Sequence, residues 1–267
     1  MKILSSLPAA VAALLMFVGC DSVAPEDRYT IIDDSEFVPQ RSVLVEEFTG
    51  QTCVNCPGAH ELMASLESRM NSADHIGIIS VGIHTPLFGF DAPRGFVTEE
   101  SDYYSSMAES APSARINRRY GVVNTDKWTG SILAEVVRKS PISFSDLNAR
   151  INRNGFIDIA GRINCADDVD DCRLQLWLVE DDIVAPQLTS EKPIADYVHH
   201  SVFRKSINDR DGDPIEVKRN SSIRIDIENF VIPEFVSNNE NLRIVAFVFN
   251  EKEGVLNAAQ FPVQQPN

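Results

Sequence analysis

The rhythm of apolar and polar positions changes once along this chain. Ser42-Val-Leu-Val-Glu-Glu-Phe48 is an apolar run that stops at a Gly-containing turn, and it reads as a strand. Over residues 56–71, Ala59, Met63, Leu66 and Met70 recur at helical spacing, which predicts an amphipathic helix. Ile76 to Ile83 is short, apolar and β-branched, as a buried parallel strand should be. Strand, helix and strand in this order make a βαβ unit. Pro86, Gly89, Pro93 and Gly95 then break the pattern, and Thr98 to Ser110 can be helical. Pro112 precedes a brief strand at Ser113–Asn117, and a helix from Ser131 to Lys139 ends at Pro141.

Beyond Pro141 the period falls to two. Phe156–Ile163, Leu174–Val179, Ile223–Ile227 and Leu242–Phe249 read as strands separated by polar turns. Glu251-Lys-Glu-Gly254 reads as a hairpin connection into Val255–Phe261. Several strands with few helices predict a small all-β domain, an antiparallel sandwich, after an α/β domain. The boundary is expected near 140–146.

The first 40 residues fit neither pattern. Lys2 and the apolar run Leu7–Val18 form a secretory signal over residues 1–19, too short to span a bilayer comfortably. Gly19-Cys20 directly after that run resembles a bacterial lipobox. That resemblance implies cleavage before Cys20 and lipidation of its thiol. Residues 20–40 are then an acidic, aperiodic, acylated tether, and the partner implied is the membrane that holds the lipid. The competing reading is an ordinary signal peptide with an incidental cysteine.

Composition narrows the function classes. The chain has 267 residues and a formal net charge of -15, which disfavours nucleic acid as a partner. Its cations are mostly arginine, 17 against 7 lysines. The five cysteines, once Cys20 is lipidated, leave two local pairs, Cys53/Cys56 and Cys165/Cys172. Either suits a disulfide in an oxidising envelope, the second as a structural bridge closing an acidic loop. The sequence implies no cofactor and assigns no metal site. Zinc at Cys53/Cys56 would need two further ligands, for which only His60 and His84 are conceivable. Asp209–Asp213 fails the pattern of a calcium loop. Adjacent His199 and His200 point opposite ways on a strand, so one should be packed and one exposed.

Cys53-Val-Asn-Cys56 carries the chemistry. It lies between an expected strand and an expected helix. Unpaired N–H groups and partial positive charge at a helix N-terminus stabilise a thiolate there. Cys53 would be the exposed nucleophile and Cys56 the resolving thiol.

This stretch resembles the thioredoxin-like superfamily. Glu47-Phe48 stands where that family has a buried acid followed by Phe, which implies that Glu47 moves a proton to or from Cys56. Pro112, preceded by Ala111, matches the family's cis-proline, which implies that it positions an extended substrate. Thr52, Val54, Asn55 and Pro57 depart from the family's usual residues. A closer resemblance links Val43–Pro57, Pro112…Asn117-Arg118 and Tyr197-Val-His-His200 to the Omp28-related outer membrane proteins. Those are lipoproteins with an N-terminal thioredoxin-like domain and a C-terminal β domain. By this resemblance a thioredoxin-like domain spans 41–141 and a β-sandwich spans 147–264, lipid-anchored at the outer membrane. The implied activity is thiol–disulfide exchange with an envelope protein. The rival is a non-enzymatic surface binding protein that uses the fold as scaffold. Solvent access to the Cys53 sulfur separates them: an open sulfur beside Pro112 suits chemistry, one covered by residues 85–110 suits a scaffold.

Overall fold

The computed structural model describes residues 41–71 and 77–266. The signal peptide at 1–19, the Cys20 lipidation site and the tether to residue 40 lie outside the described residues. The first half holds β1 (Val43–Thr49), α1 (Cys56–Met70), β2 (Ile78–His84), α2 (Glu99–Ser105), β3 (Ser113–Ile116), β4 (Val123–Asn124) and α3 (Trp128–Val136). Then come β5 (Ile142–Ile151), β6 (Ile157–Cys165), β7 (Val169–Glu180), β8 (Ile183–Gln187), β9 (Ile194–His199) and β10 (Val202–Ser206). The chain finishes with β11 (Asp213–Val217), β12 (Ser222–Phe230), β13 (Leu242–Asn250) and β14 (Gly254–Gln264). Among the described residues no helix is long and apolar enough to cross a membrane.

Helical spacing in the sequence becomes packing here. Ala59, Met63 and Leu66 of α1 are buried, and Trp128, Ile132 and Val136 of α3 join them against Val43, Val45 and Ile78. Every residue of β1 is buried. Its side chains alternate between faces, as a strand requires. Val43 and Val45 face the two helices, whereas Leu44 and Phe48 join a second cluster with Trp177, Phe203 and Phe247.

The expectation of an α/β thioredoxin-like domain followed by a separate antiparallel sandwich is overturned. Among the described residues, twelve strands form one mixed sheet, in the order β12-β6-β5-β14-β13-β7-β10-β2-β1-β3-β4, with β11 on β7. The seam lies where two domains were expected. Val202 of β10 pairs in parallel with Gly82 of β2, and β10 also pairs antiparallel with β7. Gly82 N donates to Ser201 O at 2.7 Å. Arg243 of β13 bonds Asp181 at 2.8 Å and the Ser80 carbonyl of β2 at 3.2 Å. The second hydrophobic cluster draws on both halves, so no apolar gap separates them. The described residues all fall within one unit by their internal contacts. The later strands are not purely antiparallel either, since β14 pairs with β5 in parallel.

The expected Cys165–Cys172 bridge is also absent. Both are free, buried thiols. Each sulfur is directed at carbonyls of its own strand: Cys165 Sγ lies 3.9 Å from Ile163 O, and Cys172 Sγ lies 3.6 Å from Val169 O. Burial pushes the Cys172 thiol up to about 11, and Cys165, Asp170 and Asp171 push the same way. A thiol held protonated in an apolar cluster is a poor nucleophile.

One glycine ties the two halves at their turns. Gly254 has φ +66°, and a Cβ there would stand 2.2 Å from the Asn117 carbonyl oxygen. The neighbouring Val255 N donates to that same oxygen at 2.7 Å. Gly254→Ala should therefore cost more than about 1 kcal/mol of stability. Single-tryptophan variants retaining Trp128 or Trp177 report opposite halves of the sheet. Urea unfolding of the two should coincide, and Gly254→Ala should lower both midpoints together; separate transitions would contradict the single sheet.

Candidate functional site

β1 delivers the chain to the cysteine turn. After Thr49, residues 50–55 reverse direction, and α1 starts at Cys56 with Pro57 in its first turn, where the missing N–H is no loss. Cys53 and Cys56 are joined by a disulfide with their Cα atoms 5.4 Å apart. Cys56 is fully buried, and Cys53 is only 4% exposed. The lip of the turn is open, with Val54 at 44%.

Two segments close over this turn. From the first half, Phe88 O accepts from Thr52 N at 2.8 Å and from Thr52 Oγ1 at 3.0 Å. A Cβ on Gly50 would stand 2.3 Å from that same oxygen, so only glycine admits this approach. From the second half, the β8–β9 hairpin brings Leu188 N to Gln51 O at 2.8 Å. Gln187 Nε2 donates to Cys53 O at 3.0 Å and to Gly50 O at 3.3 Å.

Pro112 arrives by register. Ser113 of β3 faces Phe48 of β1, so Pro112 lies one step on, beside Thr49 at the start of the turn. Its peptide bond with Ala111 is cis.

Glu47 lies on the α1 face of β1 and is almost fully buried. Its Oε1 is 3.4 Å from His60 Nε2, and His60 stands one helical turn after Cys56 on the same face. His60 is further held by Thr49 Oγ1 at 3.0 Å and by Tyr197 OH at 2.9 Å. Burial, then the nearby Glu67 charge, push Glu47 up to about 8. Burial, then His199 and His200, push His60 down to about 4. Both groups are therefore neutral near pH 7, and the contact is not an ion pair there. His84 and His199 stack edge-on to Phe96, with centroids 4.7 and 4.9 Å away. Burial pushes both imidazoles down as well, His199 to about 4. His199, the last residue of β9, is buried and His200, just beyond the strand, is exposed, which is the one-packed, one-exposed split expected of the pair.

Glu46, one residue earlier, points to the opposite face. Burial pushes its carboxyl up, but Arg115 at 2.7 Å and Arg118 at 2.9 Å outweigh burial and hold it at about 2.

The structure thus brings Cys53, Cys56, Glu47 and the residue before β3 to one end of β1. Sequence reasoning missed His60 as the neighbour of Glu47, and it missed Gln187 as the residue that locks the turn. Tyr197-Val-His-His200 was the available signal that β9 belongs to this site. Among the described residues, no group of three or more His, Cys, Asp or Glu is placed to hold a metal ion.

Comparison with known proteins adds the following. The family described as "Outer membrane protein Omp28" matches residues 100–266. No curated protein sequence matches the chain. The structure titled "HBP35 of Porphyromonas gingivalis" is similar with a TM-score of 0.64 and 14% identity, over 86% of this chain and 78% of that one. At that identity the likeness concerns the fold alone. A domain of the outer membrane lipoprotein Omp28 from Porphyromonas gingivalis is 15% identical over 49% of this chain and 93% of that one, with a TM-score of 0.30.

The buried acid and imidazoles set a pH profile. Because the Glu47 pKa rises on folding, its contribution is complete below about 4.5 and is lost as pH rises through about 8. The histidines fall on folding, so their cost appears as pH drops from about 6.5 towards 4. Glu47→Gln should therefore remove the decline between pH 5 and 8, gaining on the order of 3 kcal/mol at pH 8 relative to pH 5. Urea unfolding at several pH values measures this; parallel profiles for variant and wild type would refute it.

Proposed function

The chain belongs to the Omp28 outer membrane protein family and sits in the cell envelope at the outer membrane; from that premise we propose that it is held there by acyl chains on Cys20 and works as a non-enzymatic binding protein. The observation that carries this reading is the closure of the cysteine turn. Cys53 is 4% exposed, and its turn is bonded on one side to Phe88 and on the other to Gln187 and Leu188. A nucleophilic sulfur must meet a partner's disulfide in line, and Cys53 is almost wholly covered. In this reading the Cys53–Cys56 bridge staples the start of α1 to β1. The exported location supplies the oxidising conditions that keep it formed.

Thiol–disulfide exchange is the second reading, and Glu47 is what favours it. A buried carboxyl at about 8, in contact with His60 one helical turn after Cys56, suits a proton carrier near neutral pH. In that chemistry the Cys53 thiolate attacks a protein disulfide and releases one partner thiolate. Cys56, losing its proton to Glu47 in the minority of molecules where that carboxyl is ionised, then displaces the second partner sulfur and re-forms the bridge. Pro112 would position the partner's backbone.

Trapping separates the two. For the binding protein, Cys56→Ser in envelope preparations should yield no mixed disulfide on Cys53. After mild reduction of the wild type, alkylation of Cys53 should be slow until the fold is loosened by denaturant. The Cys53→Ser/Cys56→Ser double variant should lose roughly 2–3 kcal/mol of stability. A mixed disulfide trapped by Cys56→Ser but not by Cys53→Ser, with rapid native alkylation of Cys53, would establish exchange instead.

A further inference from the structure

At the opposite end of β1 from the cysteine turn lies a cavity of about 1180 Å³. The β13–β14 turn, the segment after β3, the end of α3 and the start of β7 converge on it. Its floor is made of arginine. Arg41, Arg115, Arg118 and Arg119 line it, and the two fully buried carboxylates beneath them are Glu46 and Glu135. Glu253, 39% exposed, adds a distant contact to Arg119 at 3.4 Å. Four guanidinium groups thus share two buried carboxylates, in a chain whose net charge is -15. The Arg118 guanidinium is fixed in place, lying 4.4 Å from the Phe249 ring centroid and 4.8 Å from that of Phe247. Burial lowers the Arg41 pKa; Glu135 opposes this, and Arg119 and Arg138 lower it further.

The rim adds cations without acidic partners. Among the described residues Arg138, Lys139 and Lys252 make no ion pair, and Arg210 only stacks on Tyr103 at 4.4 Å. The rim also carries the carboxylates of Asp168, Asp170, Asp171, Asp211, Glu251 and Glu253, and the 39% exposed side chain of Tyr103, whose hydroxyl donates to Asp211. An excess of positive charge below, with carboxylate acceptors above, selects for a particular ligand chemistry. The ligand must bring anionic groups for the guanidinium forks and hydroxyl donors for the carboxylates. A plain polyphosphate meets the first demand and is repelled by the second.

We propose that this cavity binds an acidic oligosaccharide, its carboxylates seated on the Arg118–Arg119 floor and the Arg138 and Arg210 rim, its hydroxyls donating to the aspartates. The assignment deepens the binding-protein reading and rests on it. The volume suits a ligand of about two or three sugar rings, since ordinary small-molecule sites span roughly 300–1,000 Å³.

Calorimetric titration of the purified full-length protein with trigalacturonate, maltotriose and tripolyphosphate tests this. Trigalacturonate should bind at one site per chain, more weakly as salt rises. Arg138→Ser and Arg210→Ser alter exposed side chains and should each weaken binding about tenfold with unchanged melting temperature. Arg118→Met should abolish binding; if it fails to fold, the two rim variants still decide. No trigalacturonate binding at millimolar concentration, equal binding of maltotriose, binding of tripolyphosphate alone, or affinity indifferent to the rim variants would each overturn the proposal. These failures leave the alkylation and trapping results at Cys53 untouched, so loss of this site is distinguishable from loss of the non-enzymatic reading.

Discussion

The structure depends on β1 being buried on both faces while carrying two adjacent carboxylates. A strand must send successive side chains to opposite sides, so Glu46 and Glu47 cannot share an environment. Glu46 enters a nest of guanidinium groups and stays ionised; Glu47 enters the helix-covered side, lacks a cation and stays protonated. Burial penalises both charges alike, and the presence or absence of arginine decides the outcome. Replacing Glu46 by an apolar residue would leave Arg115 and Arg118 without their buried counter-charge, which is the costly half of breaking such a pair.

The same strand separates two sites of different character. Beyond its C-terminal end the cysteine turn is bonded to a segment from the first half and to a hairpin from the second, so its covering draws on both halves. Before its N-terminal end, the turn at Gly254 packs against Asn117, and that contact positions Arg118 and Arg119 beside the β13–β14 connection. The β2–β10 pairing thus supports both the covering of the disulfide and the construction of the arginine cavity.

Much of the local structure was legible from periodicity. Apolar residues at helical spacing located α1, the run before the turn located β1, and period two located β6, β7, β12, β13 and β14. The joining of the halves was not legible, because it rests on β10, whose five residues Val202–Ser206 include Arg204 and Lys205 and show no clean alternation. Arg204 is buried there by pairing with Glu180 and stacking on Phe235, a compensation invisible in sequence. The hairpin β8–β9 was missed for a similar reason: Pro186 and scattered polar residues interrupt it. The cysteine spacing that suggested a bridge in the acidic loop was misleading because spacing does not fix sulfur direction. The pairing of Cys53 with Cys56 was legible because a strand-to-helix turn leaves those two few alternatives. The arginine cavity had no linear signature; Arg41, Arg118, Arg138 and Arg210 are scattered and meet only in the fold.

The central claim is that one strand holds neighbouring carboxylates in opposite ionisation states, and site-resolved titration reads it directly. In a chain labelled with carbon-13 at the glutamate side chains, the Glu46 carboxyl signal should hold its ionised position from neutral pH down towards 2, and the Glu47 signal should hold its protonated position until about pH 8. Both carboxyls titrating together near the ordinary glutamate value of about 4.3 would contradict the account.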